Sequence, residues 1–349
     1  MQIVFLYTEL AEYTLACFKA LVQKKDVELT VIHYPINPEA PFDFDFRGIG
    51  TFKCINEFKS DAELQHFIEA IQPDIIISSG WSNKWYVKIC RHFSKKECAT
   101  VLAMDNHWKD SLKQKVLALL SPFVLKKAFK KVWVPGKPQV EYARRLQFES
   151  KDISEGSYCC DTDKFSQYYN KYKDQKEAHF PKRLLCVARY VSWKGYKELW
   201  DAFIELQEEA PNEWELWCAG TGDMYDQRVI HPKIKHLGFV QKDQWDSIIK
   251  DTGVFVLASH EEPWGVAAQE FAAAGYPLLL SEKIGAASLF LNDSNGYSFK
   301  ANDKEDLKSK LRKIINADNN ALNEMGANSY KAGLSHTPND WSNTVIAFA

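Results

Sequence analysis

The chain has 349 residues, more than one hydrophobic core usually supports, so two domains are the starting expectation. Charged residues make up 26% and apolar ones 46%, and the net charge of −2 gives no global reason to expect nucleic acid as a partner. No apolar run approaches the roughly 18–20 residues of a membrane span, and Met1 leads straight into a strand-like QIVFLY in place of a signal peptide. The eight cysteines include no C-x-x-C pair, and reduced thiols in a cytoplasmic protein are expected.

In chain order, short apolar runs alternate with amphipathic segments, the pattern of βαβ units on a parallel sheet. The first half predicts strands at Ile3–Tyr7, Glu28–His33, Asp74–Ser78, Thr100–Ala103 and Lys131–Val134. Helices are predicted near Glu9–Gln23, Asp61–Ile71, Lys113–Ala128 and Pro138–Leu146, with Asp61 as an N-cap and Pro138 in a first turn. Asp161–Lys182 is polar and aromatic with no core pattern and reads as an interdomain linker. The alternation then restarts: strands at Arg183–Val187, Trp214–Ala219, Ile234–Leu237, Val254–Leu257 and Leu278–Leu280, and helices at Lys197–Glu208, Gln244–Lys250 and Ala267–Ala274. Helices near Lys304–Ile315, Leu322–Lys331 and Asn339–Ala347 close the chain. The architecture predicted is α/β, with two Rossmann-like domains in series.

The segment His260–Gly265 follows an apolar strand and precedes a helix, where ligands of open α/β sheets bind. A helix start there offers unpaired N–H groups and a positive dipole end to a diphosphate, and Gly265 lets the backbone come close. Glu262 and Glu270 are eight positions apart, one in the loop and the other expected two turns into the helix. That spacing suits two hydroxyl-bearing parts of one ligand, although on spacing alone solvated surface groups are the commoner case.

The run EEPWGVAAQEFAAAGYPLLLSEKIGAASLFLNDSNGYSF resembles the donor-site signature of family 4 glycosyltransferases of the GT-B fold, with its Glu-x7-Glu motif. Upstream, LLCVARYVSWKGYKELWDAFIEL, WELWCAGTGD and IKHLGFV resemble three further motifs of that family in the same order, so the likeness covers residues 183–315. The resemblance implies two Rossmann-like domains facing each other across a cleft. The chain then divides into an acceptor domain (1–165), a linker (166–182), a nucleotide-sugar donor domain (183–335) and a terminal helix (336–349) returning to the first domain. It implies that Arg189 and Lys194 neutralise the donor diphosphate, that Glu262 contacts the transferred sugar and that Glu270 holds the ribose. Gly265 and Val266 then supply backbone N–H groups, while Gly220, Gly222, Phe239 and Val240 line the nucleobase pocket. His107 matches the place of a histidine facing the donor sugar, although a lone histidine is as readily structural. The implied activity is retaining transfer of a sugar from a nucleotide-diphosphate-sugar to a glycan or lipid-linked acceptor, in bacterial surface polysaccharide synthesis, without cofactor or metal. A catalytically silent subunit or sugar-binding module of the same fold, or a related phosphorylase or epimerase, are the alternatives.

Two departures stand out. The first loop, Tyr7–Glu12, has no glycine where the family often carries a pair, and Gly285-Ala286-Ala287-Ser288 stands where Gly-Gly and an acid are usual. Asp43-Phe44-Asp45 and Asp161-Thr162-Asp163 imitate a metal–diphosphate motif but sit in the wrong contexts, so neither is assigned to a metal. Ser111–Val134 holds six lysines and no acid among Val, Leu and Phe. It reads either as a basic amphipathic helix contacting the inner face of a membrane or as a core-packed helix with a solvated lysine face. Trp81, Trp85 and Tyr86 are candidates for stacking on sugar, burial being the commoner fate.

Overall fold

In the computed structural model, which describes residues 1–36 and 44–349, all strands of both sheets run parallel to their neighbours. The chain divides into two units, Met1–Asp161 with His336–Ala349, and Thr162–Ser335.

The first unit runs β1 (Gln2–Leu6), α1 (Glu12–Val22), β2 (Glu28–His33), β3 (Thr51–Cys54), α2 (Asp61–Ile71), β4 (Ile75–Ser79), α3 (Lys84–Phe93), β5 (Ala99–Ala103), α4 (Leu112–Val124), β6 (Lys131–Trp133), α5 (Lys137–Arg145) and β7 (Ile153–Ser154). Its strand order is β3-β2-β1-β4-β5-β6-β7. Because strand side chains alternate, Val4 and Leu6 join Ile32, Ile76 and Leu102 on one face, while Ile3 and Phe5 join Val31, Ile75, Ile77 and Trp133 on the other.

The second unit runs α6 (Thr162–Ala178), β8 (Arg183–Val187), α7 (Tyr196–Glu209), β9 (Glu215–Ala219), β10 (Ile234–Gly238), α8 (Trp245–Asp251), β11 (Val254–Leu257), α9 (Val266–Ala273), β12 (Leu278–Ser281), α10 (Ala287–Phe290), β13 (Gly296–Phe299), α11 (Lys304–Asn316) and α12 (Asn319–Gly333). Its order is β10-β9-β8-β11-β12-β13. The chain builds outward on one side of β8 and then returns to pair β11 on its other side. The crevice between β8 and β11 is therefore the topological switch point where open sheets bind ligands.

Several elements differ from expectation. Residues 161–182 are not a bare linker: most of them form α6, which belongs to the second unit. Its packing face is aromatic. Phe165 meets Phe271 at 6.1 Å, Tyr169 stacks on Tyr330 at 4.0 Å, and the Tyr172 hydroxyl donates to Asp246 at 2.7 Å. The cap of α2 is Ser60, whose hydroxyl accepts from the Glu63 N–H, and Asp61 is the first helical residue. α3, β3, β7, α10 and β13 were not anticipated. Asp43 lies outside the described residues, and Asp45 is held by the Arg47 guanidinium at 2.7 Å.

The final helix, α13 (Pro338–Ile346), completes the core of the first unit. Trp341, 1% exposed, stacks on Phe5 at 5.7 Å, packs against Trp133 at 5.0 Å and donates from its indole to the Ser157 carbonyl at 2.9 Å. Trp341→Ala is expected to destabilise this unit by about 3–5 kcal/mol, read as an earlier urea midpoint, by emptying that volume.

Candidate functional site

The C-terminal ends of β8, β9, β11 and β12 converge through their loops. After β11 the chain passes buried Ala258 and Ser259 and reaches Glu262, whose backbone is fixed from both sides. Its N–H donates to the Lys283 carbonyl and its own carbonyl accepts from the Gly285 N–H, each at 3.1 Å, which pairs the segment with the loop after β12. The Glu262 carboxylate forms an ion pair with Lys194 from the loop after β8 and accepts from the Ser259 hydroxyl at 3.4 Å. Both charged side chains are about 15% exposed, at 15% for Glu262 and 14% for Lys194.

α9 begins immediately afterwards. Gly265 caps it at φ +87 without a side-chain hydrogen bond, and Val266 is the first helical residue. A Cβ at Gly265 would come 3.0 Å from Glu262 Cγ, so glycine serves both the positive φ and the space the glutamate occupies. Since the helix starts at Val266, half-buried Glu270 lies a little over one turn inside it, not two.

The loop after β8 is stiffened by aromatic packing. Tyr190 stacks on Tyr196 at 4.2 Å, the Tyr196 hydroxyl donates to the Ala188 carbonyl at 2.9 Å, and the Tyr190 N–H donates to the Thr221 carbonyl at 2.9 Å. Between these anchors Arg189 is exposed at the loop surface. The turn after β9 presses against this loop. Gly220 donates its N–H to the Gly238 carbonyl at 2.7 Å, and a Cβ there would lie 2.0 Å from the Ala188 carbonyl oxygen. Gly222 follows at φ +150, and half-buried Phe239 and Val240 continue from β10.

Residues to which the sequence assigned no role complete the arrangement. His260 ties the two loops together: its N–H donates to the Trp193 carbonyl at 2.8 Å and its ring lies 3.1 Å from the Glu198 carboxylate. Trp193 itself is 47% exposed beside Lys194. Beneath the loop, His236 Nε2 donates to the Val229 carbonyl at 2.8 Å. That fixes Nδ1 as acceptor for the Tyr190 hydroxyl, also at 2.8 Å. Burial lowers the His236 pKa. In the departing Gly285–Ser288 segment, Gly285 is needed because a Cβ would meet the Pro263 carbonyl oxygen at 2.2 Å, and Ala287 opens α10.

His107 belongs to the first unit, in the loop after β5, where Gln114 donates to its carbonyl at 2.9 Å. The glycine-free first loop of that unit is held instead by Thr8, whose N–H donates to the Ser79 hydroxyl at 2.8 Å. The same unit carries a cavity of about 500 Å³ lined by Tyr34, Asn56, Phe58, Ser82, Asn83 and Trp85, among others. Of the three stacking candidates, only Trp85 lines it. Tyr86 is fully buried with its hydroxyl on the Tyr7 carbonyl, and Trp81 packs edge-on against Tyr142 at 6.2 Å. Among the described residues, no three His, Cys, Asp or Glu side chains are grouped as a metal site requires.

Residues 170–332 match the family model of glycosyl transferases group 1. An uncharacterized glycosyltransferase of Methanocaldococcus jannaschii is 33% identical over 122 residues, covering 33% of this chain and 31% of that protein. A glycogen synthase of Mycobacterium tuberculosis is 28% identical over 177 residues, covering 48% of this chain and 42% of its own length. The matches thus span less than half of these relatives. Anabaena HepE in complex with UDP and glucose superimposes with a TM-score of 0.74 at 14% identity, over 99% of this chain and 98% of that one. A trehalose-6-phosphate protein from E. coli bound with UDP-2-fluoro glucose gives 0.75 at 11%, with the same coverage. The fold is GT-B, two Rossmann-like parallel sheets of seven and six strands.

His236 generates a pH prediction. Its folded pKa lies below the usual 6.5, so the unfolded chain binds the proton more readily and stability falls as pH drops below 6.5. Between pH 6.5 and about 5, the thermal midpoint of the wild type is expected to fall more steeply than that of His236→Gln.

Proposed function

We propose that this chain, which carries a group 1 glycosyl transferase domain over residues 170–332, is a retaining glycosyltransferase that moves a sugar from a nucleotide-diphosphate-sugar to a glycan or lipid-linked acceptor. The observation that carries this is the Lys194–Glu262 pair, set at the β8/β11 switch point against the glycine-capped start of α9. Cation, carboxylate and open helix end are the three functions that a sugar diphosphate needs within one ligand length.

The donor diphosphate lies at the α9 N-terminus between Arg189 and Lys194. Lys194 exchanges its carboxylate partner for phosphate oxygens, and Glu262, released from the cation, accepts hydrogen bonds from hydroxyls of the transferred sugar. Gly265 and Val266 present backbone N–H groups to the phosphate. Glu270 receives the ribose hydroxyls, and the base lies along Gly220, Gly222, Phe239 and Val240. His107 of the first unit is a candidate for the sugar on the family resemblance alone. In the transfer step the bond from the anomeric carbon to the phosphate oxygen breaks, and the acceptor oxygen forms its bond on the same face. The acceptor proton passes to the leaving phosphate. Arg189 and Lys194 stabilise the charge that develops there, so the step uses neither a protein nucleophile nor a metal.

The binding of UDP and UDP-2-fluoro glucose by the structural neighbours supports UDP-sugars as the first donors to try. The Trp85 cavity suits one ring of the acceptor, with its indole against the sugar face and the Asn56 amide at the rim. The chain works in the cytoplasm, peripherally at the inner face of a membrane where lipid-linked acceptors of surface polysaccharides are presented.

A thermal-shift series with UDP-sugars and EDTA tests the donor site, since a ligand of the folded state raises the midpoint with its concentration over Kd. A shift that persists in EDTA and is lost in Arg189→Ala is expected. No shift with any nucleotide-sugar would favour a silent module. With an active donor, Glu270→Ala is expected to raise the donor KM about 10- to 100-fold, the worth of hydrogen bonds to a charged acceptor. Lys194→Ala is expected to lower kcat about 10²- to 10³-fold, as for loss of one transition-state charge contact. Unchanged kinetics in both would sink the assignment.

A further inference from the structure

Helix α4 turns its apolar side outward. Its one fully buried side chain is Ser121, whose hydroxyl donates to the Leu146 carbonyl at 2.7 Å, with Leu117 and Ala118 partly covered beside it. Leu112, Leu119 and Phe123 are 80, 72 and 66% exposed, and Val116, Leu120 and Val124 are exposed as well. Six of the ten large exposed apolar side chains among the described residues thus sit on this one helix. At 3.6 residues per turn, Leu112, Val116, Leu119, Leu120 and Phe123 fall within an arc of about 100°, a continuous stripe along the helix.

Cations frame the stripe. Lys113 and Lys115 lie on its two flanks by the same helical count, Lys115 also reaching Asp110 at 3.1 Å. Past its C-terminal end Lys126, Lys127 and Lys130 are exposed, Lys127 lying 5.9 Å from the Phe123 ring. Arg91 from α3 donates to the Val124 carbonyl there at 3.3 Å. Residues 111–134 contain no Asp or Glu. A hydrocarbon-facing stripe with cations at both flanks and one end matches a lipid–water boundary, where acyl chains meet anionic headgroups. A second copy would cover the leucines but would set these lysines against their own kind.

We propose that α4 is an interfacial helix that docks the first unit onto an anionic lipid bilayer, with Leu112, Val116, Leu119, Leu120 and Phe123 entering the acyl boundary. This surface is independent of the donor site, so lipid binding survives in a chain whose transfer activity is abolished. The test is flotation of the full chain with vesicles of phosphatidylcholine containing roughly one third phosphatidylglycerol, alongside pure phosphatidylcholine vesicles. The wild type is expected to float with the anionic vesicles and to lose most of that binding on neutral ones or in about half-molar salt. Leu119→Glu with Phe123→Glu is expected to lower partitioning about tenfold or more while keeping the thermal midpoint, since both side chains already face water. Lys126→Gln with Lys127→Gln is expected to weaken the preference for anionic lipid. The proposal is overturned if the wild type stays unbound, or if the double glutamate variant binds as well as it does. It also fails if light scattering shows a wild-type dimer that the glutamate variant splits, which would assign the stripe to a second copy.

Discussion

The contact between Lys194 and Glu262 sets the terms for the loops around it. A cation from the loop after β8 meets a carboxylate from the loop after β11, both largely withdrawn from water. Charges in that position are costly unless they face a partner, so each loop is held to the geometry that supplies one. The backbone pairing of Glu262 with the loop after β12 and the His260–Glu198 contact to α7 act in the same direction. Exposed pairs such as Arg47–Asp45 carry no comparable constraint, because water screens them and both side chains are free to move. In the function proposed above, the buried pair is useful because it is exchangeable: an incoming diphosphate would offer Lys194 a stronger anion, and the glutamate left behind would then need hydroxyl donors.

That exchange requires the surrounding backbone to stay still, and the sheet provides this. The strands β8 and β11 are adjacent, yet the chain leaves them toward opposite sides, so their loops part and leave room above the sheet edge. The loop after β8 is clamped from below by Tyr190 and Tyr196 and from the side by the turn at Gly220, which tolerates no side chain against the Ala188 carbonyl. Arg189 emerges between two fixed neighbours. A flexible side chain on a rigid loop can follow a ligand charge without the loop having to reorganise.

The sequence carried these features unevenly. Residues 184–187 and 254–257 are continuous apolar runs, and the strands predicted at Arg183–Val187 and Val254–Leu257 have those bounds in the structure. Central parallel strands must be apolar on both faces, so their sequence announces them. β3 (TFKC) and β7, only two residues long, lie at the edges of their sheet and lack that run. α6 lacks an aliphatic core pattern because its packing side is aromatic, built from Phe165, Tyr169 and Tyr172 within an otherwise polar segment. At the site, the glutamates, Lys194 and the glycines were legible as motifs with fixed spacing. His260, Glu198, Ser259 and Trp193 were not, because their roles arise only when loops far apart in the chain meet.

Helix α4 marks the limit of periodicity as evidence. Its leucines recur at helical spacing, and that pattern alone is the same for a face packed on a core and a face left open. Burial separates the two. Here Ser121 faces inward on a hydrogen bond to the Leu146 carbonyl, and the leucines and Phe123 face out. A contiguous apolar stripe on a folded chain is unfavourable in water and calls for a partner that removes it from water. The absence of acids from residues 111–134 narrows that partner, since a neutral apolar surface would leave the lysines without use and a basic one would repel them. The requirement left is a surface apolar in depth and anionic at its boundary.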